Sequence, residues 1–212
     1  MVRVREVWWP YLFLLACIAA PVILWLQTAG RLEDYLHPAL PGQTHYVLSK
    51  LSGLITVFLL WAQLCLGLAQ SIGSWRFRVS IRTHQWLGMV TVMVMLLHYF
   101  LFVTAVWQRK GTFPFNLFIP RLDDYYHSAL TIGQLALVLT ALVVFAGKKH
   151  FYHRQDRRYF WLHRLSFPVF GLVLLHSYLV GSEAQVTIAG WAYVLMLVVV
   201  LALLGGRLHV RK

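Results

Sequence analysis

The sequence predicts an all-α integral membrane protein: one six-helix bundle over residues 1–212 with both termini on the cytoplasmic side. Three observations carry that expectation. Hydrophobic residues make up 59% of the chain and charged residues 12%, against about 25% charged in soluble domains. Six apolar runs are each close to the roughly 20 residues that a helix needs to cross a bilayer core. Lysine and arginine are concentrated in alternate connections, as the positive-inside rule requires.

The runs come in order. Trp8–Thr28 is long, contains Pro21 and has no small-residue cleavage site, so it reads as a retained helix and not a signal peptide. Tyr46–Ala69 follows, and the short basic connection SIGSWRFRVSIRT leads to the third run, His84–Val106. The connection from Gln108 to His127 is the longest. It holds Pro114, Pro120 and the aromatic stretch FPFNLFIP, and its composition predicts a cap lying in the membrane interface. Ser128–Gly147, Phe160–Gly181 and Val186–Leu204 complete the set. All six are too long for barrel strands, and only helices or closed barrels satisfy their backbone in lipid. The loops leave no room for a sizeable soluble domain. Cys17 and Cys65 both fall within spans and read as small core residues.

Fourteen of the nineteen Lys and Arg residues fall on one side, including Arg3, Arg5, Arg76, Arg78, Arg82, Arg157, Arg158 and Arg164; five fall on the other. Five of the seven acids (Glu33, Asp34, Asp123, Asp124 and Glu183) belong to the second side. The net charge of +12 is therefore assigned to orientation and anionic lipid, with a docking surface for an acidic soluble partner as the alternative. Its distribution does not point to nucleic acid.

Four histidines interrupt the apolar pattern. His84 and His98 bracket HQWLGMVTVMVMLLH, and His163 and His176 bracket HRLSFPVFGLVLLH. Ionisable groups deep in a bundle are costly and usually mark a pathway or a cofactor. The third and fifth spans run in the same direction, and at 1.5 Å per residue the two separations are about 21 and 20 Å. His84 can therefore face His163 near the cytoplasmic side, and His98 can face His176 near the other. Rotation agrees only in part: fourteen residues return to within about 40° of one face, whereas thirteen miss by about 140°. A kink at Pro168 is the available remedy. Two imidazoles from two helices, at two depths, suit two bis-histidine haems engaged in electron transfer. Zinc or copper calls for ligands clustered at one depth, often with Cys, Asp or Glu, and a proton relay calls for intramembrane carboxylates, which the spans lack. Arg82 and Arg164 adjoin the inner histidines. They read either as partners of haem carboxylates or as boundary charge.

These stretches, with IRTHQWLG and RRYFWLHRLSF at the two helix entries, closely resemble the ferric-reductase-like transmembrane domain family. That family includes NADPH oxidases, ferric reductases and the haem subunit of a bacterial periplasmic methionine sulfoxide reductase. The resemblance spans the whole chain and implies two b haems that carry electrons from the cytoplasmic side outward. Oxidases and ferric reductases continue into a domain for FAD and NADPH. This chain stops six residues after Gly206 without a Gly-rich dinucleotide fingerprint. It is thus expected to rely on a separate cytoplasmic-side donor, a flavoprotein or quinol, and to deliver electrons to an external acceptor: a partner reductase, ferric iron or oxygen. The standalone type implies a bacterial inner membrane. The alternatives are a cytochrome b561-like or quinol-linked cytochrome b subunit, and a cofactor-free transporter or assembly factor. His37, His45 and His127, beside the outer acids, read as a metal-docking or acceptor site or as plain loop polarity.

Overall fold

The computed structural model describes residues 9–28, 40–72, 80–152, 156–185 and 187–210. Among these residues every regular element is helical. In chain order they are α1 (Trp9–Thr28), α2 (Gln43–Ile72), α3 (Ile81–Lys110), a single 3₁₀ turn (Phe115–Phe118), α4 (Tyr125–Tyr152), α5 (Arg157–Arg164), α6 (Ser166–Val180), α7 (Ser182–Gln185) and α8 (Thr187–Val210). Arg3, Arg5, Glu33, Asp34, His37, Arg76 and Arg78 lie outside the described residues.

Among the described residues, four helices are long and apolar enough to cross a membrane: α2, α3, α4 over Tyr125–His150, and α8 over Ile188–His209. The helices outrun their apolar runs because their ends need polar partners. Helix α3 begins one turn before the apolar stretch, where the Ser80 hydroxyl accepts the Thr83 N–H at 3.0 Å. It ends at Gly111, whose φ of 71° carries its N–H back to the Trp107 carbonyl, a turn that glycine enters without steric cost.

The predicted fifth span, 160–181, is not one helix. It breaks at Leu165 into α5 and α6. Pro168 has no N–H for the Arg164 carbonyl, and its ring crowds that carbonyl. The chain answers with a tighter step, Leu165 N–H to the Leu162 carbonyl at 3.1 Å, before the ladder resumes with Val169 N–H to Leu165 at 3.0 Å.

Helix α2 is the central column. Two thirds (67%) of its most apolar window is buried inside the protein, against 22–28% for α3, α4 and α8. Helices α1, α3, α6 and α8 all pack on it, and the Trp61 indole ties it to the Met196 carbonyl of α8 at 3.1 Å. Cys17 and Cys65 are buried in this core, as their positions predict. The outer surface carries Trp86, Met93, Phe100, Val138, Trp191 and Leu195 fully or largely exposed. A contiguous apolar exterior of this kind is unstable in water and matches a lipid surround, in which the core-facing and solvent-facing sides are equally apolar. The long outer connection folds back as a cap: Leu117 is buried, and its carbonyl accepts the Gln134 amide and, at 3.5 Å, the Tyr99 hydroxyl.

Candidate functional site

The four histidines meet in two pairs. The ring centres of His84 and His163 lie 6.2 Å apart, and those of His98 and His176 lie 6.3 Å apart, with the ring planes at 83° and 73°. Helix α3 supplies one member of each pair. The break at Leu165 falls between the other two, so His163 leaves from α5 and His176 from α6, which absorbs the rotational mismatch of a straight thirteen-residue separation.

What orients the rings comes from α2 and α4. His98 Nδ1 lies 2.7 Å from the Ser49 carbonyl, His176 Nδ1 2.8 Å from that of Ala129, and His163 Nδ1 3.1 Å from that of Val143. A carbonyl only accepts, so in each case Nδ1–H donates, and the neutral ring keeps its lone pair at Nε2. That is the tautomer a metal-binding histidine adopts.

Each ring also lies over a glycine. A Cβ on Gly53 would come within 3.0 Å of His98, on Gly133 within 2.6 Å of His176, on Gly147 within 2.8 Å of His163, and on Gly67 within 3.4 Å of His84. The approaches at Gly133 and Gly147 exclude a side chain, since real Cβ atoms essentially never come so close, and the one at Gly53 is tight enough that the ring would have to shift. The Nδ1 acceptors Ser49, Ala129 and Val143 stand four residues before Gly53, Gly133 and Gly147, one helical turn away on the same face. The helix thus offers a bare patch for the ring and, one turn below, a carbonyl for its N–H. Reading the histidines alone misses these glycines. The available signal is spacing: Gly53 to Gly67 and Gly133 to Gly147 are each fourteen residues, the separation of His84 and His98.

Each pair lines a cavity. The inner one, about 190 Å³, is bordered by His84, His163, Gln63, Gly67, Arg164 and Arg207 among others. The outer one, about 140 Å³, is bordered by His98, His176, Gly53, Gly133, Lys50 and Tyr99 among others. Thr91 and Thr140 are buried between the two levels, and each spends its hydroxyl on its own helix, at 2.8 Å to Leu87 and 2.7 Å to Ala136. They turn methyl groups to the interior. Among the described residues, no thiol or carboxylate lines either cavity.

Arg164 lines the inner cavity and stacks over the Phe160 and Trp161 rings, 4.8 and 5.0 Å from their centres. Arg82 is exposed on the first turn of α3 and lines neither cavity, so the structure separates two residues that the sequence treats alike. Arg207, from the far end of α8, joins Arg164 at the inner cavity; its place just past the last apolar run reads only as boundary charge.

Of the loop histidines, His37 lies outside the described residues, and His45 and His127 do not join in one site. His45 sits half-buried on α2. The ligand atoms of His127, Asp123 and Asp124 lie within 4.8 Å of one another, and local structure accounts for each. Asp124 caps α4, accepting the His127 N–H at 2.8 Å and facing the His127 ring, and these contacts hold its carboxyl below the usual range. Asp123 pairs with Arg121, which lowers its pKa likewise.

Chemically, two imidazoles facing each other at this separation can share one metal ion. Metal–nitrogen bonds of about 2.0–2.1 Å, with a ring radius of about 1.1 Å added on each side, put ring centres about 6.3 Å apart. Each level supplies only two such donors, which falls short of the four of a structural zinc site and equals the axial pair of a haem iron. Comparison with protein-family models, curated proteins and solved structures gives no match.

Proposed function

We propose that this chain is a diheme membrane cytochrome b of the ferric-reductase-like type, which carries electrons from a cytoplasmic-side donor to an external acceptor. In this reading α1 and the broken α5–α6 pair cross the membrane beside the four long helices, giving six spans with both termini cytoplasmic, in a bacterial inner membrane. One observation carries the proposal: two histidine pairs with ring centres 6.2 and 6.3 Å apart, three of the four rings held with Nε2 free for a metal.

The residues present fit a haem at each level. The glycines keep the helices bare where the rings and a flat macrocycle need room, and the cavity walls are mostly apolar. His84 with His163, and His98 with His176, would hold the two irons. Arg164 and Arg207 would take the carboxylates of the inner group, and Lys50, fixed at 2.6 Å to the Ser182 hydroxyl, those of the outer. A bound haem supplies reversible one-electron iron chemistry, and two histidine ligands leave iron no open position for substrate. The chain's own work is orientation and insulation. Ser49, Ala129 and Val143 fix ring rotation, and the cap at Leu117 covers the outer cavity. The donor would be a separate flavoprotein or quinol; the acceptor would be a partner reductase, ferric iron or oxygen.

The test is a pyridine haemochrome assay on the purified protein against protein concentration. Two b haems per chain are expected. A colourless protein, even after haem-supplemented expression, would sink the proposal.

A further inference from the structure

The four ring settings are not equivalent, and His84 is the odd one. Its Nδ1 is buried and has no hydrogen-bond partner among the described residues. The acceptor position that the other three rings use, the carbonyl four residues before the facing glycine, is at Gln63 for His84. There the side chain acts instead: Gln63 Nε2 donates to the main-chain carbonyl of His84 at 2.8 Å, and Gln63 Oε1 is left buried without a partner. Gly67 stands off from the ring at an ordinary contact distance, where the other three glycines approach within 2.6–3.0 Å. His84 is thus held by its main chain, while its ring is neither wedged nor hydrogen-bonded.

A carbonyl acceptor on the far nitrogen fixes a ligating ring and raises its basicity, and losing such a partner costs about 10–100-fold in metal affinity. We infer that His84 is the axial position that opens, so the inner level accepts a small exogenous axial ligand such as carbon monoxide while the outer level does not. Gln63 is then the positioning residue of the inner level. This inference rests on the haem reading above.

The test is carbon monoxide added to the dithionite-reduced, purified protein, read as a Soret difference spectrum. Binding to about half of the haem is expected, the share of one weakened ligand set out of two. His98→Ala/His176→Ala, which leaves the inner level, binds carbon monoxide on nearly all its haem; His84→Ala/His163→Ala, which leaves the outer, binds none through displacement of a histidine. Gln63→Glu keeps the size and loses the donor. It speeds transfer of the inner haem to a haem-scavenging apoglobin by about 10-fold and leaves the outer haem unchanged; equal loosening of both would show a merely structural role and overturn the assignment of Gln63. A two-haem protein inert to carbon monoxide, or one that binds it at the outer level, overturns the inference and spares the haem reading. A protein without haem overturns both.

Discussion

The inner and outer histidine levels share one plan and differ in finish. Both rings of the outer pair donate to carbonyls at 2.7–2.8 Å and rest on glycines no more than 3.0 Å from an added Cβ. In the inner pair one ring donates at 3.1 Å, and the other does not donate at all. Two sites built from the same residue type at nearly the same separation therefore differ in how tightly the protein grips them. Ligand identity sets what a level can hold, and the neighbouring backbone sets how well.

The largest effect that sharpens this contrast is loss of an outer ligand. On the proposed diheme reading, His176→Ala should lower the haem content from two per chain to about one, and the remaining absorption and paramagnetic-resonance signals should be those of the inner level. Loss of both signals together would mean that the levels are not separable.

The glycine series comes next. Gly133→Ala places a methyl 2.6 Å from His176, and overpacking of this kind costs about 1–3 kcal/mol. Haem retention and thermal midpoint should fall in the order Gly133→Ala, Gly147→Ala, Gly53→Ala, with Gly67→Ala nearly unchanged because its methyl meets His84 at 3.4 Å. An equal response at Gly67 and Gly133 would remove the difference in grip.

Pro168→Ala restores an N–H to the ladder at the α5–α6 break, where an internal proline costs a helix about 3 kcal/mol. The expected result is a straighter fifth span and a shifted spectrum at one level only, as thirteen residues of continuous helix carry His163 and His176 to different faces. An unchanged spectrum would show that tertiary packing, not Pro168, sets the break.

The smallest effect is at the outer rim. The Asp124 carboxyl is held below its ordinary range by the His127 N–H and then by the His127 ring, so its contribution to stability is complete above the unfolded-state pKa. It declines as pH falls through the lower folded-state value. The thermal midpoint of the wild type should therefore drop below about pH 4 slightly more steeply than that of Asp124→Asn. Neither haem spectrum should respond to the substitution.

Much of this architecture is legible in the sequence. Apolar runs locate α2, α3, α4 and α8 to within a turn or so, since lipid demands length and low charge. Depth-matching of His84 with His163 and of His98 with His176 anticipates which rings meet, because helical rise is fixed. The break near Pro168 is legible as a possibility, though its place at Leu165 depends on how the chain re-routes two hydrogen bonds. The glycines are harder to see, as an apolar run tolerates glycine for many reasons and only their contact with the rings assigns them. Gln63 and Arg207 belong to the same class: one polar residue in an oily helix carries no direction until a neighbour is fixed. Arg82 shows the converse: two residues before His84 in sequence, it stands about 200° round the helix and lines neither cavity.

Every glycine–histidine contact is made within one helical hairpin. Gly53 and Gly67 on α2 lie against His98 and His84 on α3, while Gly133 and Gly147 on α4 lie against His176 and His163 on α6 and α5. The molecule is thus two prefabricated halves of one design, the second following the first by about eighty residues. The first half can finish its rings before the second has left the ribosome. The capped outer connection then tethers the halves, so their meeting is an intramolecular event at high effective concentration. On the proposed reading, a group held between the imidazoles would join the two halves.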